Sequence, residues 1–192
     1  MTAQMSDIVV TRDGRYALVG VSGSGLFDPS EHGLRLGMIS TACWRGYLCE
    51  YTVEDDQLFL TALELSATEP PDELFGAHVR LGETAEYWPI RVRQPFTGGL
   101  LLGAGFIEAL YVHMGHQPAW KYETVLELTF DGGRLVVVRD RSELMAQRRA
   151  AYVTRTTTDP HQSTVPLHPT DPLAPDQWID DTALDHGYSP ML

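Results

Sequence analysis

The chain has 192 residues, 43% of them hydrophobic and 21% charged, with 12 prolines and 17 glycines, a globular composition rather than a fibrous or wholly disordered one. Fourteen basic residues against 26 acidic ones leave a net charge of −12, which repels phosphate backbones and anionic lipid, so neither nucleic acid nor a membrane is an expected partner. Two cysteines are too few for a disulfide scaffold, no run approaches the roughly 18 apolar residues of a membrane span, and no basic stretch leads into an apolar run near Met1; a cytoplasmic protein is expected.

In chain order, Ile8-Val9-Val10 and Tyr16-Ala17-Leu18-Val19 flank Asp13-Gly14 and predict a first hairpin. Val21 to Gly37, rich in glycine and broken by Pro29, reads as a long loop. Alternation then places Cys43, Tyr47, Cys49, Tyr51 and Val53 on one face of a strand, with Glu50, Thr52 and Glu54 on the other. Asp55-Asp56-Gln57 turns this strand into Leu58 to Leu63, a second hairpin. On one continuous strand the two thiols would lie about 20 Å apart at ~3.3 Å per residue, too far to bridge, and buried free cysteines are the expectation. Ser66 to Asp72, with Pro70-Pro71, is a break, and Leu100 to His116 reads as strand, loop and strand.

The strongest period-two signal follows. Between Trp120 and Phe130 the even positions Trp120, Tyr122, Leu126, Leu128 and Phe130 are apolar, while Lys121, Glu123, Glu127 and Thr129 form a wet face. Asp131-Gly132-Gly133 turns this strand into the β-branched run Leu135 to Val138. A helix then starts at Ser142 as its cap, with Glu143 at the positive end, Arg148 and Arg149 near the negative end, and Leu144, Met145, Ala151 and Tyr152 to pack.

These elements predict one all-β domain over residues 1–155, a mainly antiparallel barrel or sandwich built from hairpins and closed by one short C-terminal helix. Residues 156–192 change character: six aspartates, six prolines and no lysine, arginine or glutamate give −6, half of the net charge. An extended or disordered acidic tail is expected, and Trp178 to Leu184 is its one adhesive piece.

Chemical motifs are sparse. His113 and His116, three apart, are weak candidates for a metal site, since Gly115 and Pro118 point to a turn and no HExxH or CxxC accompanies them. Ser22-Gly23-Ser24-Gly25 lacks both the GxSxG elbow and a P-loop lysine. The numerous carboxylates, Glu50, Glu54, Asp55, Asp56, Glu64, Glu123 and Glu127, read as solvated strand faces, and no spacing selects an acid and base pair. No catalytic residue and no cofactor is assigned. Trp44 beside Arg45 fits the pattern of an interface anchor, and burial of Trp44 between sheets is the competing reading.

Trp44-Arg45-Gly46-Tyr47, Glu50-Tyr51-Thr52-Val53, Leu58-Phe59-Leu60, Tyr111-Val112-His113-Met114-Gly115 and Tyr122-Glu123 together resemble motifs of small, functionally uncharacterised bacterial β-rich proteins, over about residues 36–138. The resemblance implies an all-β fold and a strand at Tyr111 to His113, and carries no reaction or ligand. The resulting expectation is a non-enzymatic acidic protein of the immunity, inhibitor or adaptor kind that engages a basic protein partner, or self-associates. Its contacts would come from Trp44, Arg45, Tyr47, Tyr111, His113, Trp178, Asp180 and Asp181. The alternative is a small-ligand-binding or metal-dependent β-barrel, possibly an enzyme, lined by the aromatics with His113 or Glu123 turned inward.

Overall fold

In a computed structural model, residues 2–113 and 115–158 are described, with side chains as far as Tyr152. The strands are β1 (Ile8–Thr11), β2 (Gly14–Ser24), β3 (Tyr47–Glu54), β4 (Gln57–Leu65), β5 (Glu73–Leu74), β6 (Ala77–His78), β7 (Arg80–Leu81), β8 (Ala85–Tyr87), β9 (Val92–Arg93), β10 (Thr97–Phe106), β11 (Tyr122–Asp131) and β12 (Arg134–Asp140), followed by the helix α1 (Ser142–Thr158). The expected tail begins within α1; the rest of it, with Trp178, Asp180 and Asp181, lies outside the described residues.

The three expected hairpins form, and they assemble into a closed barrel of seven strands in the order β12-β11-β10-β2-β1-β3-β4, with Arg134 of β12 pairing Gln57 of β4 to complete the ring. Neighbours run antiparallel except β1 and β3, which pair in parallel from Ile8 opposite Glu50 to Val10 opposite Thr52. The second edge of β4 changes partner along its length: β12 at Gln57, β9 at Phe59 and Leu60, then β8 from Leu63 to Leu65. The two-residue turn Asp55-Asp56 holds φ of 50° and 58°, the left-handed pair a tight hairpin requires.

Inward-facing residues fill the ring. Tyr51, Phe96, Phe130, Leu58, Leu60 and Leu102 are all at most 1% exposed, and Phe96 and Phe130 meet edge to face at 5.9 Å. Each such side chain contributes roughly 1.5–3 kcal/mol through its removal from water. A second, smaller core lies outside the ring, where Val19, Leu101 and Val125 on the outer faces of β2, β10 and β11 are covered by Met145 of α1.

That outer core accounts for several departures from expectation. The odd-numbered face of β11 is wet only in part: Glu123 is exposed, but Val125 and Glu127 are buried, Glu127 to 2% exposure, because α1 and Arg141 close over them. Ser142 does not cap α1. Its amide instead donates to Asp140 Oδ1 at 2.8 Å, and its own hydroxyl accepts from the Val125 amide at 3.0 Å. The helix is also longer than expected, so Arg148 and Arg149 sit mid-helix; Arg148 is buried, and Arg149 donates to the carbonyls of Trp120 and Tyr122 at 2.6 and 3.1 Å.

Two backbone expectations also shift. The long loop starts later than Val21, because β2 runs on to Ser24 with Gly23 paired to Gly98; a Cβ on Gly23 would stand 2.1 Å from the Thr97 carbonyl oxygen. Tyr111 to His113 is irregular rather than a strand: β10 ends at Phe106, just after Gly105 adopts φ +68°, and a short 3-10 turn over Glu108–Leu110 follows.

Candidate functional site

The Trp44 to Tyr47 segment splits between inside and outside. Gly46 takes φ +80°, and a Cβ there would meet the Gly37 carbonyl oxygen at 1.8 Å, so the chain turns in the tightest available space. Around that turn Trp44 faces solvent at 53% exposure, whereas Tyr47 is buried and the Arg45 side chain is only 9% exposed. Arg45 forms a two-pronged ion pair with Asp7, Nη1 to Oδ2 at 2.9 Å and Nη2 to Oδ1, and its guanidinium lies 4.4 Å from the Tyr47 ring centre. Asp7, itself 1% exposed, also accepts from the Cys49 amide at 2.7 Å. Arg45 is thus committed to the fold, and the expectation that it anchors a partner is corrected.

Gly115 and His116 approach the same place. Gln4 joins them: its amide donates to the Gly115 carbonyl at 2.8 Å, and its Oε1 accepts from the Trp44 amide at 3.0 Å. His116 is pushed down to about 4, first by burial and then by the positive charge of Arg45, so it is neutral at pH 7. His113 is exposed, with its ring against that of Tyr111 at 5.0 Å. The two imidazoles therefore have different surroundings, and among the described residues no three His, Cys, Asp or Glu side chains gather as metal ligands. Cys43 precedes β3 rather than sharing it with Cys49. Burial raises both thiols, Cys49 well above its ordinary range with Asp7 adding to the effect, so both stay protonated at neutral pH.

One concave feature among the described residues lies on the outer side of β1, β3, β4 and β8, where a groove of about 420 Å³ is lined by residues including Met5, Ile8, Leu48, Ala62 and Trp88, with Glu50, Glu64 and Glu86 among them. Register generates it. One row across the sheet reads Leu48, Glu64, Glu86 and Arg80 on β3, β4, β8 and β7; the next reads Ile8, Glu50 and Ala62 on β1, β3 and β4. The apolar members are small or half-buried, and Met5 and Trp88 stand 48% and 50% exposed.

The carboxylates in these rows are not equivalent. Glu50 is paired with Arg15. Glu64 and Glu86 stand directly opposite one another on neighbouring strands, and among the described residues neither forms an ion pair. Glu64 accepts from the Thr84 hydroxyl at 2.9 Å, and Arg80, across from Glu86, lays its guanidinium over the Trp88 ring at 4.4 Å instead. Like charges directly opposed across strands destabilise a sheet, so this pair adds nothing to folding. No family model, curated protein or solved structure matches the chain.

The structure therefore links Trp44 to Gly115 through Gln4, and turns Arg45 and Tyr47 inward. His113 and Glu123, the residues expected to face a barrel cavity, lie on the outside, while Tyr51, Phe96 and Phe130 occupy the interior. Sequence reasoning missed Asp7, whose neighbours read as the lead-in to β1. It also missed the pairing of Glu64 with Glu86, which spans the Pro70-Pro71 break and is fixed only by the register of β4 and β8.

Proposed function

We propose that this chain is a non-enzymatic binding protein of the cytoplasm, and that the groove beside Trp88 receives a basic segment of a protein partner. The observation that carries the reading is the opposed pair Glu64 and Glu86 beside an exposed tryptophan, on a chain of net charge −12. A cationic side chain entering the groove relieves the repulsion between the two carboxylates, and the aromatic face and the half-buried Leu48 and Ile8 accept the apolar part of the same segment. The overall negative charge adds long-range attraction and speeds encounter. Two unbridged cysteines accord with a reducing compartment.

The test is calorimetric titration of the full chain with a peptide of alternating arginine and leucine. Binding should weaken steeply between low and high salt. It should fall at least tenfold in the Glu64→Gln, Glu86→Gln double variant, but little in a charge-matched Glu31→Gln, Glu108→Gln control. Equal losses in both variants would reduce the interaction to general charge attraction and reject the groove.

A further inference from the structure

In two places this chain sets one arginine against both a carboxylate and an aromatic ring. Arg45 pairs with Asp7 and stacks over Tyr47 at 4.4 Å; Arg91 pairs with Glu54 at 2.8 Å and stacks over Phe59 at 3.8 Å. The planar guanidinium suits such a position because its edge donates to the acid while its weakly hydrated face rests on the ring. An ammonium, a compact and strongly hydrated point charge, does not divide its contacts in that way.

The groove holds a third set of the same parts without the shared cation. Glu64 and Glu86 stand opposite each other on β4 and β8, where directly opposed side chains start about 5 Å apart. Trp88, two residues beyond Glu86, lines the groove with them and is 50% exposed. Arg80 stacks over this ring at 4.4 Å, yet among the described residues it forms no ion pair with either acid, and it does not line the groove. It therefore lies against the indole from outside, and the two carboxylates and the groove side of Trp88 share no guanidinium.

We propose, on the reading that the groove receives a basic segment, that the residue it selects is arginine: the incoming guanidinium lies against the groove side of Trp88 and donates to Glu64 and Glu86 together. One planar group with five N–H donors can reach both acids and still present its face to the ring. Glu64 has an oxygen left for it beyond the one that accepts from Thr84. Leu48, Ile8 and Ala62 in the same lining further favour the more weakly hydrated cation. The chain's own residues 159–192 contain neither arginine nor lysine, so they cannot supply it.

The full chain titrated calorimetrically with two peptides of equal length and charge, alternating arginine with leucine or lysine with leucine, tests the choice. The arginine peptide should bind about fivefold tighter or more, a comparison that depends on no variant folding. Trp88→Leu should reduce that ratio to below about twofold, whereas Trp88→Phe, which keeps a ring, should retain most of it. Binding of the lysine peptide by Trp88→Leu reports that the groove is intact. Equal or tighter binding of the lysine peptide, with both peptides still lost in the Glu64→Gln, Glu86→Gln double variant, overturns the choice of arginine and leaves the basic-segment reading standing. An arginine preference that survives Trp88→Leu overturns the site assigned to it. Binding of neither peptide, or binding of both that is indifferent to Glu64 and Glu86, removes the basic-segment reading and this inference with it.

Discussion

Two sets of carboxylates divide the molecule. Asp7 and Glu127 are 1% and 2% exposed, and each is matched to arginine: Asp7 to Arg45 by two bonds, Glu127 to Arg141 at 2.6 Å and to Arg139 at 3.6 Å. Glu64 and Glu86 lie on the outer sheet face, oppose each other across β4 and β8, and form no ion pair among the described residues. Where a carboxylate is taken out of water, the chain supplies a cation, because an uncompensated buried charge is far too costly to keep. Where solvent pays that cost, the chain leaves two acids in repulsion. The first set serves folding and the second is available to something outside, and the two should respond oppositely to neutralisation.

The largest effect is expected at Arg45. Replacing it with methionine strands the Asp7 charge in a site with 0% side-chain exposure, and should cost ~3–5 kcal/mol by urea denaturation. Adding Asp7→Leu removes the stranded charge and should recover much of the loss, making the double variant more stable than the sum of the singles. The Cys49 amide, left without its acceptor, limits that recovery. Additive losses would show that the two side chains do not act as a pair.

Glu127→Gln should cost less, about 2 kcal/mol in the same measurement. It keeps the shape beneath α1 but weakens the bond that Arg141 Nε makes at 2.7 Å, and Arg139, whose side chain is 49% exposed, can turn to water. The loss should be accompanied by looser α1, read as faster amide exchange around Met145, since Arg141 stands at the start of that helix.

A half-buried histidine and a buried lysine give pH signatures of opposite location. The native state holds His116 at about 4 against 6.5 unfolded, so it prefers the neutral ring; its contribution is intact above pH 6.5 and is lost as the pH falls from 6.5 toward 4. Lys121, the only lysine of the chain, is lowered to about 8 by burial, with Gln117 Oε1 accepting from its ammonium at 2.8 Å. Its neutral form is likewise favoured on folding, so stability rises as the pH climbs from 8 toward 10.5. His116→Gln should flatten the acid limb alone and Lys121→Met the alkaline limb alone. A single variant that alters both limbs would mean that another group dominates the titration.

These regions were unequally legible from sequence. The alternation in Trp120 to Phe130 and the turns at Asp55-Asp56 and Gly132-Gly133 determine their hairpins locally, and they form as expected. Glu127 misleads because period two separates the faces of β11 without telling that a helix will cover part of the outer one. Arg45 misleads for a related reason: its partner Asp7 is 38 residues away, and the inward turn depends on the close approach of Gly46 to Gly37. Ring closure, too, rests on a single pairing of Arg134 with Gln57, a contact no local pattern announces. Patterns close in sequence specify strands, whereas the sites arise from register between strands distant in the chain.

The smallest expected effect on stability is the one most diagnostic of the division between the two sets. Glu86→Gln leaves a hydrogen-bonding side chain of the same length opposite Glu64 while removing one of the two opposed charges. Stability should be unchanged or should rise by up to about 0.5 kcal/mol, as expected when like charges directly across strands are relieved. Arg80 bears on the sign, because it stands opposite Glu86 on the other side and attracts it, but with its guanidinium over Trp88 and no ion pair closed that attraction is weak. Urea midpoints of Glu86→Gln and Glu64→Gln at low and high salt isolate the repulsion: any gain should shrink as salt screens the pair. A loss of 1 kcal/mol or more in either variant would show that the groove acids hold the sheet together, and the distinction from Asp7 and Glu127 would collapse.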